Sequence, residues 1–158
     1  MTAPVRVAIA LGSNLGRRAD HLDYAVRALA RDLSDIKTSP LLENAAAEVG
    51  PGQPAYLNAA LVGWTQLAAR ALLKRLMDIE RERGRERPAR LAARTLDLDL
   101  ILYGDEVIDG EDLTVPHPRF RRRTFVLAPL AAIAPDMVDP VTGLTVTELL
   151  AQLTRTVD

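Results

Sequence analysis

Residues 94–102 read Arg-Thr-Leu-Asp-Leu-Asp-Leu-Ile-Leu and alternate with a period of two. Leu96, Leu98, Leu100 and Leu102 fall on one face and Thr95, Asp97, Asp99 and Ile101 on the other, which is the pattern of a strand with an aliphatic core face. The opposite face carries two carboxylates about 6–7 Å apart along the strand, both pointing the same way. Like charges held so close repel unless a cation lies between them. A hard divalent ion takes carboxylate oxygens and keeps positions open for phosphate. Arginines crowd the approach, at 81, 83, 85, 87, 90 and 94. Metal ligands beside an arginine-rich loop point to a polyphosphate site. The competing reading is an ion network in which Arg94 and a neighbouring arginine neutralise the aspartates.

The rest of the chain frames this strand. Val5 to Leu11 reads as a first strand, followed by a Gly12–Gly16 turn. Asp20 is placed to cap a helix running to Leu33, with Leu22, Val26, Leu29 and Leu33 at helical spacing. Ile36 to Leu42 is an irregular second strand containing Pro40, and Ala45 to Pro54 is a loop. Tyr56 to Thr65 is a third strand and Leu67 to Arg83 a second helix ended by Gly84. After the aspartate strand come a short strand at Glu106 to Ile108, a loop from Asp109 to Arg123, and helices at Phe125–Ile133 and Thr145–Leu153. The order β-α-β-β-α-β predicts an α+β, ferredoxin-like fold: an antiparallel sheet with helices on one face, plus extra C-terminal helices. At 158 residues the expectation is a single domain, 1–158.

Composition narrows the function. The chain has no cysteine, which excludes disulfides, thiolate metal sites and a cysteine nucleophile. No signal peptide and no apolar run of ~20 residues is evident, so a cytoplasmic protein without a membrane partner is expected. The net charge of −1 offers no global attraction for nucleic acid. Ten of the 18 arginines nevertheless lie between Arg81 and Arg123, against two lysines in all. A GC-rich genome accounts for the ratio but not for the clustering. Arginine's planar fork suits phosphate oxygens.

Three further groups carry chemistry. The Gly84–Arg94 loop is either a phosphate clamp or a solvated segment whose arginines pair with Glu80, Glu82 and Glu86. His117 stands between Pro116 and Pro118, followed by Arg119, Arg121, Arg122 and Arg123. Its frame is stiff, and it is a candidate donor to phosphate or an acid–base group, or else merely exposed. Tyr56 and Asn58 share a strand face, a ring plus an amide suited to a flat heteroaromatic ligand, or an ordinary half-buried tyrosine. The P-loop, Rossmann and protein-kinase signatures are all missing. An RNA-binding sheet of the RRM kind wants exposed aromatics, and these make up only 4% of the chain.

Taken together, Ala10–Gly16, Gln53–Ala60, Glu80 with Gly84-Arg85, Arg94–Asp99 and Leu113–His117 resemble the 6-hydroxymethyl-7,8-dihydropterin pyrophosphokinase family of folate biosynthesis. They occur in family order over most of the chain. The resemblance implies transfer of diphosphate from ATP to the pterin hydroxymethyl group, releasing AMP, with ATP and a hydroxymethyl-dihydropterin as partners. It implies two Mg²⁺ ions on Asp97 and Asp99, with Arg85 and Arg94 completing the catalytic set. Glu80, Arg85, Arg87, Arg94, His117 and Arg123 become nucleotide and phosphate contacts. Tyr56 and Phe125 become the pair that sandwiches the pterin, and Asn58 the residue that reads its edge. Leu91-Ala92-Ala93 stands where the family commonly has Trp-Gly-Pro, so the loop lacks an aromatic cover. The alternatives are a divergent paralogue acting on another pterin and a non-catalytic binding module.

Overall fold

The computed structural model describes residues 3–44, 55–84 and 95–155. Its centre is strand β1, Val5–Ser13. The strand alternates two kinds of side chain. Val7, Ile9 and Leu11 face one way, and the small residues Ala8, Ala10 and Gly12 face the other. β1 pairs antiparallel with β4 (Leu57–Thr65) on one side and β5 (Asp97–Tyr103) on the other. β2 (Ser34–Thr38) lies outside β4, giving the order β2-β4-β1-β5. This is the predicted ferredoxin-like arrangement. The irregular second strand is two pieces, because Pro40 has no N–H to donate. The short β3, Leu42–Glu43, resumes pairing with β4 opposite Asn58 and Leu57.

Helices α1 (Arg18–Leu29) and α2 (Ala69–Gly84) cover the large-residue face. Leu22 and Leu29 from α1 and Leu72, Leu76 and Ile79 from α2 pack there on Ile9, Leu11, Leu98 and Leu100. The C-terminal helices α3 (Thr124–Ile133) and α4 (Val146–Arg155) cover the opposite face. Phe120, Leu127, Leu130 and Leu149 bury there against Ala8, Ala60 and Val62. Small strand residues let α3 sit close to the sheet. α3 begins only at Thr124, and the end of that face near Ala10 and Gly12 is left as a trough.

Two expectations are corrected. Leu102 does not share the leucine face. The β1–β5 register slips between Ala8 and Ile9, so that Ile9 opposes Leu100 while Ala8 opposes Leu102. The extra residue is a bulge, and it turns both Ile101 and Leu102 toward α3. The 109–123 stretch is not all loop. β6 (Ile108–Asp109) pairs with β7 (Thr114–Val115), and a 3₁₀ turn follows at Phe120–Arg122. On α1, His21 is half-buried, and its Nδ1 accepts from Arg83 Nε at 2.8 Å. No helix among the described residues is long and apolar enough to cross a membrane.

Candidate active site

The register of three strands sets the floor. Gly12 of β1 has Asn58 of β4 on one flank and Asp97 of β5 on the other. One step along, Ala10 stands between Ala60 and Asp99. Directly opposed residues in an antiparallel sheet share a face. Both aspartates therefore project into the trough over Gly12 and Ala10. The trough is a cavity of about 280 Å³, lined by Ala10, Leu11, Gly12, Asn44, Tyr56, Asn58, Asp97, Asp99, Arg123, Phe125 and Val126.

Glycine at position 12 keeps this floor flat. A Cβ there would lie 3.4 Å from Asn58 Oδ1 and 3.4 Å from Tyr56 Cδ1. The Tyr56 ring thus passes beside the floor, and its hydroxyl donates to Asp97 Oδ2 at 3.2 Å. Asn58 is almost fully buried. Its amide nitrogen donates to the Leu42 carbonyl at 3.2 Å and also meets Asn44 Oδ1. With the nitrogen turned to the β3 side, the Asn58 oxygen is the atom that faces the cavity. It is an acceptor, suited to an N–H on the edge of a flat ring. Asn44 escaped the sequence reading. No local pattern marks it, and only the β3–β4 pairing brings it beside Tyr56, whose carbonyl accepts the Asn44 N–H at 2.9 Å.

The opposite wall is the start of α3. Phe125 is half-buried, and the Arg123 guanidinium lies 5.5 Å from its ring centre. The 3₁₀ turn before it is locked by Arg121, which makes two hydrogen bonds to Asp139, at 2.5 and 3.0 Å. Asp139 is fully buried. Burial pushes its carboxyl up, but Arg121, the Thr142 hydroxyl and the Val141 N–H outweigh this, and the pKa falls below the usual carboxylate value.

His117 stands next to this wall, outside the cavity lining. Its backbone N–H donates to the Ile101 carbonyl at 3.0 Å, and its Nδ1 accepts the Arg119 N–H at 3.1 Å. That assignment leaves the neutral ring's proton on Nε2. Burial lowers the imidazole pKa. The Asp99 charge works against this, and Arg123 and Arg119 add to it. The neutral ring is therefore a one-proton donor near pH 7. Glu80, at the end of α2, also lies outside the cavity. Its Oε2 accepts the Leu98 N–H at 2.7 Å, which ties α2 to β5 between the two aspartates.

Of the sequence-predicted residues, Tyr56, Asn58, Asp97, Asp99, Arg123 and Phe125 come together around one cavity. Arg85, Arg87 and Arg94 lie outside the described residues, as do the Ala45–Pro54 loop and Leu91-Ala92-Ala93. Asp97 and Asp99 suit a hard cation by donor chemistry: both are oxygen ligands, half-exposed to the cavity, and too few to fill an octahedral shell. One end of the cavity is thus acidic, one wall carries a cation stacked on a ring, and the floor is flat.

Residues 8–135 match the family model described as 7,8-dihydro-6-hydroxymethylpterin-pyrophosphokinase. The chain is 41% identical over 147 residues to a 2-amino-4-hydroxy-6-hydroxymethyldihydropteridine pyrophosphokinase of Synechocystis sp., covering 92% of this chain and 74% of that one. It is 43% identical over 148 residues to the protein of the same name from Haemophilus influenzae, covering 91% and 90%. Among solved structures, wild-type Plasmodium falciparum HPPK-DHPS with pterin and p-hydroxybenzoate superposes with a TM-score of 0.76 at 15% identity. That match covers 99% of this chain and spans 44% of the Plasmodium chain, and it speaks to the fold alone.

Proposed function

Because this chain belongs to the 7,8-dihydro-6-hydroxymethylpterin-pyrophosphokinase family, we propose that its cavity transfers diphosphate from ATP to the hydroxymethyl group of 6-hydroxymethyl-7,8-dihydropterin. AMP leaves, and the product enters folate biosynthesis. The observation that supports this most directly is the row Asn58–Gly12–Asp97 across three neighbouring strands. It sets an edge-reading acceptor and a carboxylate on either side of a floor without side chain. A flat ring lying there has its polar edge at Asn58 and its substituent toward the aspartates.

Each residue then has a task. Tyr56 and Phe125 offer aromatic faces to the pterin, where an aromatic pair contributes about 0.5–1.5 kcal/mol beyond area burial. Asn58 Oδ1 accepts an N–H from the ring edge. Asp97 and Asp99 hold Mg²⁺, and two ions are expected. Bound there, the metal supplies charge neutralisation on the phosphate oxygens. The Tyr56 hydroxyl orients the Asp97 carboxylate. Arg123 and the Nε2–H of neutral His117 donate to phosphate oxygens. Arg85, Arg87 and Arg94 add to this clamp from the loop, and Glu80 supports the nucleotide side by holding β5. Transfer of this kind depends on positioning and charge stabilisation more than on a covalent nucleophile, which agrees with a chain that has no cysteine.

The test is stoichiometric. Purified protein with ATP, Mg²⁺ and 6-hydroxymethyl-7,8-dihydropterin is expected to yield AMP and diphosphorylated pterin in equal amounts, and neither when EDTA is added. AMP formed without the pterin, or transfer that survives EDTA, contradicts the proposal.

A further inference from the structure

Arg18 opens α1 with a charge of the wrong sign for that place. The first turn of a helix favours anions, and Asp20 supplies one in the same turn. Arg18 instead reaches away from its helix to the cavity's outer wall. One terminal nitrogen donates to the Ala55 carbonyl at 2.8 Å. The other pairs with Glu43 Oε2 at 2.5 Å. Glu43 and Ala55 are the residues immediately before Asn44 and Tyr56, and both of those line the cavity. A single guanidinium therefore bridges the two chain segments that present Asn44 and Tyr56. It does so from the α1 side, a few residues after the Gly12 floor. Arg18 itself forms no part of the cavity lining. Arginine suits this task because its donors are spread over a rigid plane and can serve a carboxylate and a carbonyl together, whereas lysine offers one compact ammonium.

We propose that Arg18 is a positioning residue for the pterin end of the cavity. It fixes the spacing of Asn44 and Tyr56 and thereby sets pterin affinity, while the nucleotide end, built on β5 and the start of α3, is linked to it only through the Tyr56 hydroxyl on Asp97. This rests on the reading that the cavity takes a pterin. The clamp contributes little to folding, since its carboxylate partner is 55% exposed and such pairs are worth little in stability. Its effect is on the geometry of the binding wall.

The experiment compares Arg18→Met, Arg18→Lys and wild type. Methionine keeps the length of the stem and a similar helix propensity. Dissociation constants are measured for 6-hydroxymethylpterin and, separately, for a non-transferable ATP analogue with Mg²⁺, together with the thermal midpoint. In Arg18→Met the pterin constant is expected to rise about fivefold to tenfold, the cost of ordering one side chain of the wall again on binding. The analogue constant changes by no more than it does in Tyr56→Phe, the midpoint stays unchanged, and Arg18→Lys falls between Arg18→Met and wild type. Unchanged pterin affinity in Arg18→Met overturns the proposal, and so does an equal loss for both ligands with a lowered midpoint, which marks a merely structural role. Asn58→Ala separates the two layers. If pterin affinity survives that change, the pterin reading itself fails. If it is lost there and kept in Arg18→Met, the positioning role alone fails.

Discussion

Gly12→Ala should raise the stability of this protein and weaken its function, and the two effects can be measured apart. Gly12 lies in the middle of the sheet, and its backbone conformation is one that alanine adopts. The added Cβ would meet Asn58 Oδ1 and Tyr56 Cδ1 at 3.4 Å and the Leu57 carbonyl oxygen at 3.8 Å. These are close but ordinary contacts, so nothing must move. Replacing glycine by alanine at a compatible position reduces the freedom of the unfolded chain and stabilises by about 0.4–1 kcal/mol. For a chain of this length that is a rise of ~1–4 °C in the thermal midpoint. The same methyl stands over the flat floor and against the oxygen that reads the ring edge. A ligand lifted from Asn58 loses one hydrogen bond and leaves a buried acceptor unpaired, at a cost of about 1–3 kcal/mol. At 1.4 kcal/mol per decade this weakens pterin binding by roughly 5- to 150-fold. Scanning fluorimetry gives the first quantity, and calorimetric titration with 6-hydroxymethylpterin beside a non-transferable ATP analogue gives the second. Pterin affinity equal to wild type refutes the placement of the ring over Gly12. Weaker affinity with a lower midpoint means that the methyl strains the fold, which the contact distances rule against.

Asp97→Asn and Asp99→Asn should each lower turnover by about 10²–10³ through lost charge stabilisation, with circular dichroism unchanged; full turnover in either removes that residue from the metal site. Tyr56→Phe keeps the ring and loses the bond to Asp97, so the Mg²⁺ concentration for half-maximal turnover should rise about tenfold while pterin affinity holds. A Mg²⁺ titration that superposes on wild type shows the hydroxyl to be idle. Asp139 has a lowered pKa, so the unfolded chain binds its proton first as the pH falls. Its stabilisation is therefore fully present above the ordinary aspartate range and is lost as the pH drops through the lower folded value. Arg121→Ala leaves Asp139 buried without its cation and should cost roughly 3–5 kcal/mol at pH 7. Asp139→Asn should flatten the acid limb of the stability curve, and denaturant melts at pH 3 and pH 7 read both.

Where chemistry and local period coincide, the site was legible in the residues. Asp97 and Asp99 sit together because an alternation of two is the pitch of a strand, and it survives unbroken to Leu100. Tyr56 and Asn58 follow by the same argument one strand away. Asn44 was invisible because its place depends on β3 pairing with β4, a contact across the 45–54 stretch that carries no local signal. The role of Arg18 was hidden for the same reason, since its partners are 25 and 37 residues away. The alternation itself fails at a telling point. The bulge beside Ile9 turns Ile101 and Leu102 to the same side, under α3. It is at Ile101 that the carbonyl accepts the His117 N–H. Two consecutive apolar side chains give α3 a wider base than strict alternation would, and the segment leading to Arg123 and Phe125 is tied to β5 two residues from Asp99. A strand that kept its period through Leu102 would have sent that leucine to the other face and narrowed the seat of the second wall. The departure from pattern is therefore what brings the cationic wall to the acidic strand, and it is chosen by the docking of α3, which no window of sequence around Asp99 contains.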